Sequence, residues 1–269
     1  MKGFILSFRS EFYKTRKTAG FWSAVILPLL ICGLLFMGFY SHADKIAANH
    51  PPGMMLWLQF AGAILGVMGS LLLPMLIVFI AYSVNSIEHK ADTWKTLFSL
   101  PISKLSVYAA KYFYAFFLIL ICLALFVLLT LGFGNLLGIL KPELKFHEYS
   151  MTSLLLQIYI KLFLAAMGIL SIQFLLSLLF RDFLKPMGIG FAATIAGVIL
   201  ATTGWQYAYL FPYSHPMLVL QLLPNHHNGA PASSGLSIDI FTKEIFVSLI
   251  VAAVVFVGGY FIVLKKSVK

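Results

Sequence analysis

Six long apolar segments dominate the pattern of hydrophobic and polar positions along this chain. They cover residues 21–40, 56–84, 108–140, 162–180, 186–203 and 245–264. Each is long enough to cross a bilayer as a helix, which takes roughly 17 to 25 mostly apolar residues. The apolar residues are continuous rather than alternating with polar ones, so helices fit them better than the strands of a membrane barrel. We therefore predict an all-α integral membrane protein with six transmembrane helices.

The composition agrees with this fold class and excludes a water-soluble protein. Of the 269 residues, 61% are hydrophobic and only 10% are charged, so the chain cannot hide its apolar surface from water. The segments between spans are under about forty residues, too short for a soluble domain with its own core. Residues 1–269 are thus predicted to form a single transmembrane domain. Cys32 and Cys122 both lie in apolar spans, which leaves no disulfide framework or zinc site.

The basic residues are unevenly divided between the two sides of the predicted membrane. One side carries Lys2, Arg9, Lys14, Arg16, Lys17, Lys90, Lys95, Lys104, Lys111, Arg181, Lys185, Lys265, Lys266 and Lys269. The other side carries Lys45, Lys141, Lys145, Lys161 and Lys243. Because Lys and Arg are enriched on the cytoplasmic side of membrane proteins, we expect both termini and residues 88–111 to be cytoplasmic. The net charge of +10 therefore reflects topology and does not indicate a nucleic-acid partner.

An amphipathic helix is predicted over residues 2–18, ahead of the first span. The apolar residues at helical spacing are Phe4, Ile5, Phe8 and Phe12, and the other faces carry Lys2, Arg9, Glu11 and Lys14. Such a helix lies in the interface plane of the membrane, with its cations toward the lipid headgroups. A disordered basic tail is the alternative, but phenylalanines at helical spacing are unusual in such a tail.

Two segments on the outer side are neither spans nor simple loops. Residues 141–161 are predicted to contain an amphipathic surface helix, from the spacing of Leu144, Phe146, Tyr149, Leu154 and Leu155. Lys161 is expected to snorkel from the outer end of the fourth span, with a buried cation on a transport path as the alternative. Residues 204–242 are rich in Pro, Gly, His and aromatic residues. They are too apolar for a free loop and too broken for a span, which predicts a re-entrant or interfacial segment before the last span.

Residues 88–111 form a polar stretch between the second and third spans. A short helix with an apolar face is indicated by the i, i+3 and i+4 spacing of Trp94, Leu97 and Phe98. Asp92 is a plausible N-cap for that helix. Leu100-Pro101 ends it, because the residue before a proline avoids the α conformation. By itself this helix is either an ordinary interfacial loop helix or a docking helix for a soluble partner.

This stretch resembles the same region in permease subunits of the ABC-2 family of ABC transporters, above all the lantibiotic-immunity or bacitracin-type branch. The resemblance is carried by Glu88, Thr93, Trp94, Lys95, Leu97, Leu100, Pro101, Ile102, Ser103, Lys104, Tyr108 and Lys111. Many family members have a glycine before the threonine, where this chain has Asp92. The six spans, the N-terminal helix with Glu11 and Lys14, and the Pro/Tyr segment 211–216 extend the resemblance over the chain.

The resemblance implies a half-transporter in the bacterial cytoplasmic membrane. Two subunits, identical or paired with a sister permease, would associate with two copies of an ABC ATPase that binds ATP and Mg²⁺. This chain would then hold no cofactor and would not be an enzyme; it contains no G-x-x-x-x-G-K-[ST] motif. The short helix would be the coupling helix on the ATPase. The residues expected to make that contact are Glu88, Asp92, Thr93, Trp94, Lys95, Leu97, Phe98 and Pro101.

The substrate class is inferred from the family resemblance, and no single residue indicates it. The resemblance implies export of an amphipathic peptide, a lipid-like molecule or a drug-like molecule, or self-protection against one. The aromatic residues of segment 204–242 and its lack of Lys and Arg before Lys243 suit such a molecule, although aromatic belts also serve as simple membrane anchors.

Two other functions fit parts of the sequence. A secondary transporter or channel usually shows acidic residues or inverted repeats within its spans, and neither is evident in the predicted spans. A metal site, in an intramembrane enzyme or a metal-linked ABC permease, would use His215, His226 and His227. Adjacent histidines point apart on most backbones and no H-E-x-x-H spacing occurs, so loop histidines are the simpler interpretation and no metal site is assigned.

Overall fold

The computed structural model describes residues 2–48, 52–99, 101–221 and 238–266, apart from the side chains of Lys95, Phe98 and Lys266. Within these ranges all regular structure is helical. The helices are α1 Lys2–Thr15, α2 Ala19–Ser41, α3 Ala43–Ala47, α4 Gly53–Val67, α5 Leu73–Ala91, α6 Trp94–Ser99, α7 Lys104–Leu140, α8 Thr152–Leu179, α9 Leu184–Thr202, α10 His215–Gln221 and α11 Lys243–Lys266. A π-helical segment, Met68–Leu72, joins α4 to α5. Four 3-10 turns lie at Pro142–Leu144, Phe146–Glu148, Ala208–Leu210 and Pro212–Ser214.

Among the described residues, six helical units are long and apolar enough to cross a membrane, which confirms the predicted fold class. They are α2, the continuous α4–α5 unit, α7, α8, α9 and α11. α8 lies at the centre of the bundle, between α5 and α11 and against α7. Large apolar side chains such as Leu34, Leu128 and Val254 are more than 60% exposed, and they form the surface expected to meet lipid.

The second span is longer than the apolar pattern predicts. α4 and α5 run as one helix from Gly53 to Ala91, whereas the apolar residues end near position 84. The π segment ends two residues before Pro74, and its wide turn accommodates a residue that cannot donate a backbone hydrogen bond. The helix continues beyond the apolar region because polar residues of its last turns, Glu88 among them, are buried against other helices.

The segment before α8 differs from the prediction. It contains two 3-10 turns rather than an amphipathic surface helix, and α8 begins at Thr152, ten residues before the predicted span. Phe146 is buried between α4 and α7, where its carbonyl oxygen accepts a 2.8 Å hydrogen bond from Trp57 Nε1. Leu144 and Phe146 of this segment therefore pack into the bundle instead of lying on the membrane surface, whereas Tyr149 is exposed.

Lys161 does not snorkel to the surface. It lies in the third turn of α8 with its side chain fully buried. The Lys161 Nζ donates to the carbonyl oxygen of Asp239 at 2.8 Å and lies 3.4 Å from Glu244 Oε1. The predicted snorkelling is wrong because α8 extends outward past Lys161, which leaves the cation between helices with an acidic partner on α11.

The segment before the last span was predicted to be re-entrant or interfacial, and its described part up to Gln221 packs into the bundle, while residues 222–237 lie outside the described residues. Its 3-10 turn Pro212–Ser214 packs against α9, and α10 packs against α8, α9 and the π segment. The Tyr213 hydroxyl accepts a hydrogen bond from Gln173 Nε2 of α8. Gly197 of α9 leaves the room that this contact needs, because a Cβ there would lie 2.5 Å from the carbonyl oxygen of Tyr213.

Gly197→Ala is expected to lower the thermal unfolding midpoint of the purified protein in detergent. The added methyl group meets backbone atoms that cannot rotate away, and overpacking of this kind typically costs about 1–3 kcal/mol. Gly188→Ala on the same helix is the matched control, since a Cβ there meets nothing within 4 Å and alanine favours a helix over glycine. Equal midpoints for the two variants would contradict the close approach of segment Pro212–Ser214 to α9.

Candidate functional site

Two glutamates and two lysines from α1, α5 and α7 form a closed ring of ion pairs at the end of the bundle where α1 lies. Lys111 Nζ donates to Glu88 Oε2 at 2.6 Å and to Glu11 Oε2 at 2.9 Å. Its third hydrogen bond, 3.1 Å long, goes to the Val84 carbonyl oxygen. Lys14 Nζ closes the ring, 3.1 Å from Glu88 Oε1 and 3.4 Å from Glu11 Oε1. These four charged residues, Glu11, Lys14, Glu88 and Lys111, are called the ion cluster below.

The charges of the ion cluster are withdrawn from solvent and depend on one another. The side chains of Lys111, Glu88 and Glu11 are 1–3% exposed, and only Lys14 reaches the surface. Lys111 has acceptors in this chain for all three of its N–H groups. Burial opposes the charge of Lys14, but Glu11 and Glu88 outweigh that effect and raise its pKa. Two cations thus balance two carboxylates, and loss of any one member leaves a buried charge without its partner.

Aromatic packing holds α1 against α7 at this cluster. The inward face of α1 consists of Phe4, Phe8, Glu11 and Thr15, which follow a helical period. The Phe8 ring lies 5.8 Å from the Tyr114 ring and 6.1 Å from the Phe117 ring of α7. Because the face that carries these phenylalanines also carries Glu11, the same packing directs the carboxylate toward Lys111.

Trp94 connects the short helix α6 to the ion cluster. Its Nε1 donates to His89 Nδ1 at 3.1 Å, and its ring centroid lies 5.5 Å from Lys111 Nζ. On the far side of the imidazole, His89 Nε2 lies 2.9 Å from the Ser177 carbonyl oxygen of α8. A carbonyl oxygen only accepts, so this geometry fits a neutral His89 with its proton on Nε2. α6 is thereby joined to α5, α7 and α8 through one indole ring.

Asp92 ends α5 and does not cap α6, so the predicted N-cap is wrong. Its backbone is left-handed (φ 52°, ψ 34°), and the N–H groups of Asp92 and Thr93 both bond to the Glu88 carbonyl oxygen. Thr93 precedes α6, and its carbonyl oxygen accepts from the Leu97 N–H. A left-handed residue after a helix favours glycine, which explains why glycine is common here in the permeases that this stretch resembles. The Asp92 carboxylate lies 3.4 Å from Arg181.

The predicted coupling residues fall into three groups. Glu88 and Trp94 face the ion cluster, and Leu97 is partly buried. The other predicted residues that are described, Asp92, Thr93 and Pro101, are exposed, as are Thr96 and Ser99, which were not predicted. The side chains of Lys95 and Phe98, and the whole of Leu100, lie outside the described part of the chain. α6 therefore turns Trp94 inward, and its exposed side chains among the described ones, Thr96 and Ser99, carry hydroxyl groups.

A column of polar side chains leads from His89 into the membrane part of the bundle. Asn85 Nδ2 donates to Ser177 Oγ at 2.8 Å. One turn along α8 from Ser177, Gln173 bonds to Tyr213 of the re-entrant segment. Asn85, Ser177, Gln173 and Tyr213 are called the polar column. It links the surface around α6 to the re-entrant segment through a helix that is buried on most sides.

Of the three histidines considered for a metal, His215 alone lies within the described residues. His215 is buried, and its Nε2 lies 2.8 Å from the Tyr209 carbonyl oxygen. His226 and His227 lie outside the described residues. In the part of the chain that the structure describes, no group of three His, Cys, Asp or Glu side chains is placed to hold a metal ion.

Sequence reasoning did not include Lys111 among the coupling residues, and it missed Glu11, Lys14 and His89 as members of this site. Their partners are 100, 74 and 88 positions away along the chain, so no local period reveals them. One signal was present: Glu11 is the only acidic residue among the first 43. An isolated acid on a basic amphipathic helix indicates a specific cationic partner.

A protein-family model described as ABC-2 family transporter protein matches residues 7–197. This match covers more than half of the chain and includes all four members of the ion cluster and α6. No curated protein and no solved structure matches the chain.

Lys111→Met is expected to reduce folded yield in the membrane and to lower the thermal unfolding midpoint strongly. It leaves Glu11 and Glu88 buried with only the partly exposed Lys14, and breaking a buried pair costs about 3–5 kcal/mol. Glu88→Gln should cost less, because the amide oxygen of the introduced glutamine still accepts from Lys111. The measurement is fluorescence-detected gel filtration of heated, detergent-solubilised protein.

The matched control is Lys141→Met. It removes a cation that lies 2.7 Å from Asp44 Oδ1 at an exposed site, where ion pairs contribute little to stability. We expect a midpoint close to that of the wild type. If Lys111→Met behaved like Lys141→Met, the ion cluster would not be the structural anchor described above.

Proposed function

Because this chain belongs to the ABC-2 family of transporter proteins, we propose that it is the permease subunit of an ATP-driven exporter. The observation that carries this proposal is the attachment of α6 to the ion cluster through Trp94. A short helix that is exposed on one side and fixed to three spanning helices on the other suits the transfer of movement from a partner to the membrane.

The proposed partner is an ABC ATPase subunit, which the family implies. The chain has no nucleotide-binding motif of the P-loop type, so ATP and Mg²⁺ would be bound and hydrolysed by that partner. The permease then contributes the transport path and the helices that move, whereas the ATPase contributes the catalysis. Both termini and α6 would face the cytoplasm, since most of the basic residues lie on that side.

The contact on α6 is best assigned to its outward face. Thr93, Thr96 and Ser99 are exposed there, and Leu97 is partly exposed beside them. Trp94 and Glu88 are engaged inside the chain, so we assign them to transmission rather than to direct contact with the ATPase. Lys95 and Phe98 remain candidates from the sequence alone.

The proposed movement passes from α6 to two sets of helices. Displacement of Trp94 acts on Lys111 and thus on α1, α5 and α7, which the ion cluster holds together. It also acts on His89 and the polar column, which reaches the re-entrant segment at Tyr213. Packed helices move as rigid bodies, so a shift at α6 would open or close a path near that segment.

The proposed cargo is an amphipathic peptide, a lipid-like molecule or a drug-like molecule, handled by two permease subunits that are identical or sister chains. Exposed Trp205, Tyr207 and Leu210 at the outer end of the bundle support an apolar cargo taken from the membrane. The resemblance of residues 88–111 to the lantibiotic-immunity branch supports a peptide and a self-protective role.

A secondary transporter is the second candidate, because Glu88, Lys111, Lys161 and Glu244 all lie on spanning helices. Ionisable residues at such positions often mark an ion path. Here, however, each has an opposite charge within 4.0 Å inside the chain, an arrangement that suits a structural role. Dependence of transport on ATP separates the exporter from the secondary transporter.

A metal-linked permease is the remaining alternative, and it rests on the sequence positions of His215, His226 and His227. Metal analysis of the purified protein tests it directly. A stoichiometric transition metal that is lost in His226→Ala would favour this alternative over the exporter of an amphipathic molecule.

Leu97→Asp should abolish co-purification of a co-expressed ABC ATPase subunit while the permease remains folded. A carboxylate on the outward face of α6 disrupts an apolar contact without touching the ion cluster. Ser150→Asp, at an exposed position before α8 on the far side of the membrane, adds the same charge as a control and should leave the complex intact. Retention of the ATPase by Leu97→Asp would contradict the assignment of this face.

Trp94→Phe is expected to leave binding of the ATPase intact but to weaken the coupling between ATP hydrolysis and transport. Phenylalanine keeps an aromatic ring beside Lys111 but cannot donate to His89, so the ATPase should still bind while substrate-stimulated ATP hydrolysis falls. Both quantities are measured on the complex in lipid nanodiscs. Wild-type stimulation in Trp94→Phe would contradict the proposed route through His89.

A further inference from the structure

The outward face of α1 carries a stripe of cations and apolar residues that the ion cluster does not use. It consists of Lys2, Leu6, Arg9 and Tyr13, with Arg16 directly after the helix, and all of them are exposed. Within the described residues neither Arg9 nor Arg16 lies within 4.0 Å of a carboxylate. Their charges are therefore available to an external anion.

Both arginines converge on one phenol. Arg9 Nη2 lies 3.5 Å from the Tyr13 hydroxyl, and the guanidinium carbons of Arg9 and Arg16 lie 5.7 Å and 5.3 Å from the Tyr13 ring centre. The hydrogen bond from Arg9 and the positive charge of both groups lower the pKa of Tyr13. Two planar donors and a hydroxyl at one place match the oxygen atoms of a phosphate group.

The neighbouring apolar side chains indicate where that phosphate resides. Ile5 and Leu6 are 64% and 61% exposed, and Phe12 is exposed beside Tyr13. A helix surface that mixes cations with large apolar groups belongs at the boundary between headgroups and acyl chains. A soluble phosphate compound would leave the apolar residues in water, whereas a phospholipid contacts both kinds of group.

We propose that the outward face of α1 binds an anionic phospholipid, with the headgroup phosphate held by Arg9, Tyr13 and Arg16. The opposite face of the same helix supplies Glu11 and Lys14 to the ion cluster. Lipid bound on one face therefore stabilises the position of α1 that the other face requires. The site rests on α1 and the residue that follows it, and it does not depend on the transport function proposed above.

Native mass spectrometry of the full-length chain in detergent measures this site directly. The protein is titrated with phosphatidylglycerol or with phosphatidylcholine, and bound lipids are counted. The wild type should bind phosphatidylglycerol in preference. Arg9→Gln with Arg16→Gln should weaken that binding about 30-fold, equivalent to about 2 kcal/mol for two basic residues near an anionic lipid.

The control is Lys185→Gln with Lys265→Gln, which removes the same charge from exposed sites on α9 and α11. It should bind phosphatidylglycerol like the wild type. Equal losses in both double variants would indicate diffuse attraction and overturn the site. Competition by soluble glycerol phosphate at concentrations comparable to those of the lipid would overturn the choice of a lipid over a free phosphate ester.

A parallel pull-down with the ABC ATPase distinguishes a protein partner from a lipid. Arg9→Gln with Arg16→Gln should leave the ATPase bound, since the proposed ATPase contact lies on α6 and not on α1. Loss of the ATPase with unchanged lipid binding would overturn the proposal and assign this face to the ATPase. Failure of the ATPase to bind any variant, including the wild type, would contradict the proposed function but leave the lipid result standing.

Discussion

The Lys111 ammonium group is the point on which this end of the molecule depends. It lies on α7, is withdrawn from solvent, and bonds to a glutamate of α5, a glutamate of α1 and a backbone oxygen of α5. A buried lysine is tolerated only when its charge is matched and its donors are satisfied. These requirements fix the angle of α1 on α7 and keep α5 helical up to Ala91, beyond its apolar residues. The position of α6 follows, because its tryptophan packs on the same lysine.

The spans and the short helix could be predicted because each repeats a local pattern. Long apolar runs identify transmembrane helices, and the spacing of Trp94 and Leu97 indicates a helix near the observed α6. Prolines and aromatic residues make segment 204–242 too broken for a span, which predicted a re-entrant or interfacial segment, and the described part up to Gln221 follows the first alternative. The predicted ends of the helices were less accurate. The apolar pattern stops before polar residues such as Glu88 and Lys161, but the helices that contain these residues continue past them.

The site itself could not be predicted in full, because its bonds join distant parts of the chain. The helical period assigns Glu11 to the solvated side of an amphipathic helix, yet it pairs with a lysine 100 positions away. The local pattern turns Trp94 outward, but Lys111 places a cation over its ring and His89 accepts its hydrogen bond within the chain. Asp92 has a residue type that favours caps, while its left-handed backbone is dictated by the end of α5. Contacts between distant parts of the chain thus decide the positions of Glu11 and Trp94, and the end of the preceding helix decides that of Asp92.

Because Lys111 bonds to Glu11 of α1 and contacts Trp94 of α6, the ion cluster should make α1 and α6 move as one unit. Double electron–electron resonance on the complex with its ATPase tests this. Spin labels are attached to Leu6→Cys and Ser99→Cys in a chain whose Cys32 and Cys122 are replaced by serine. We predict one narrow distance distribution that is the same with and without ATP, and a broadened one when Glu11→Gln is added. A distribution that shifts with ATP in the chain that retains Glu11 would contradict the rigid connection.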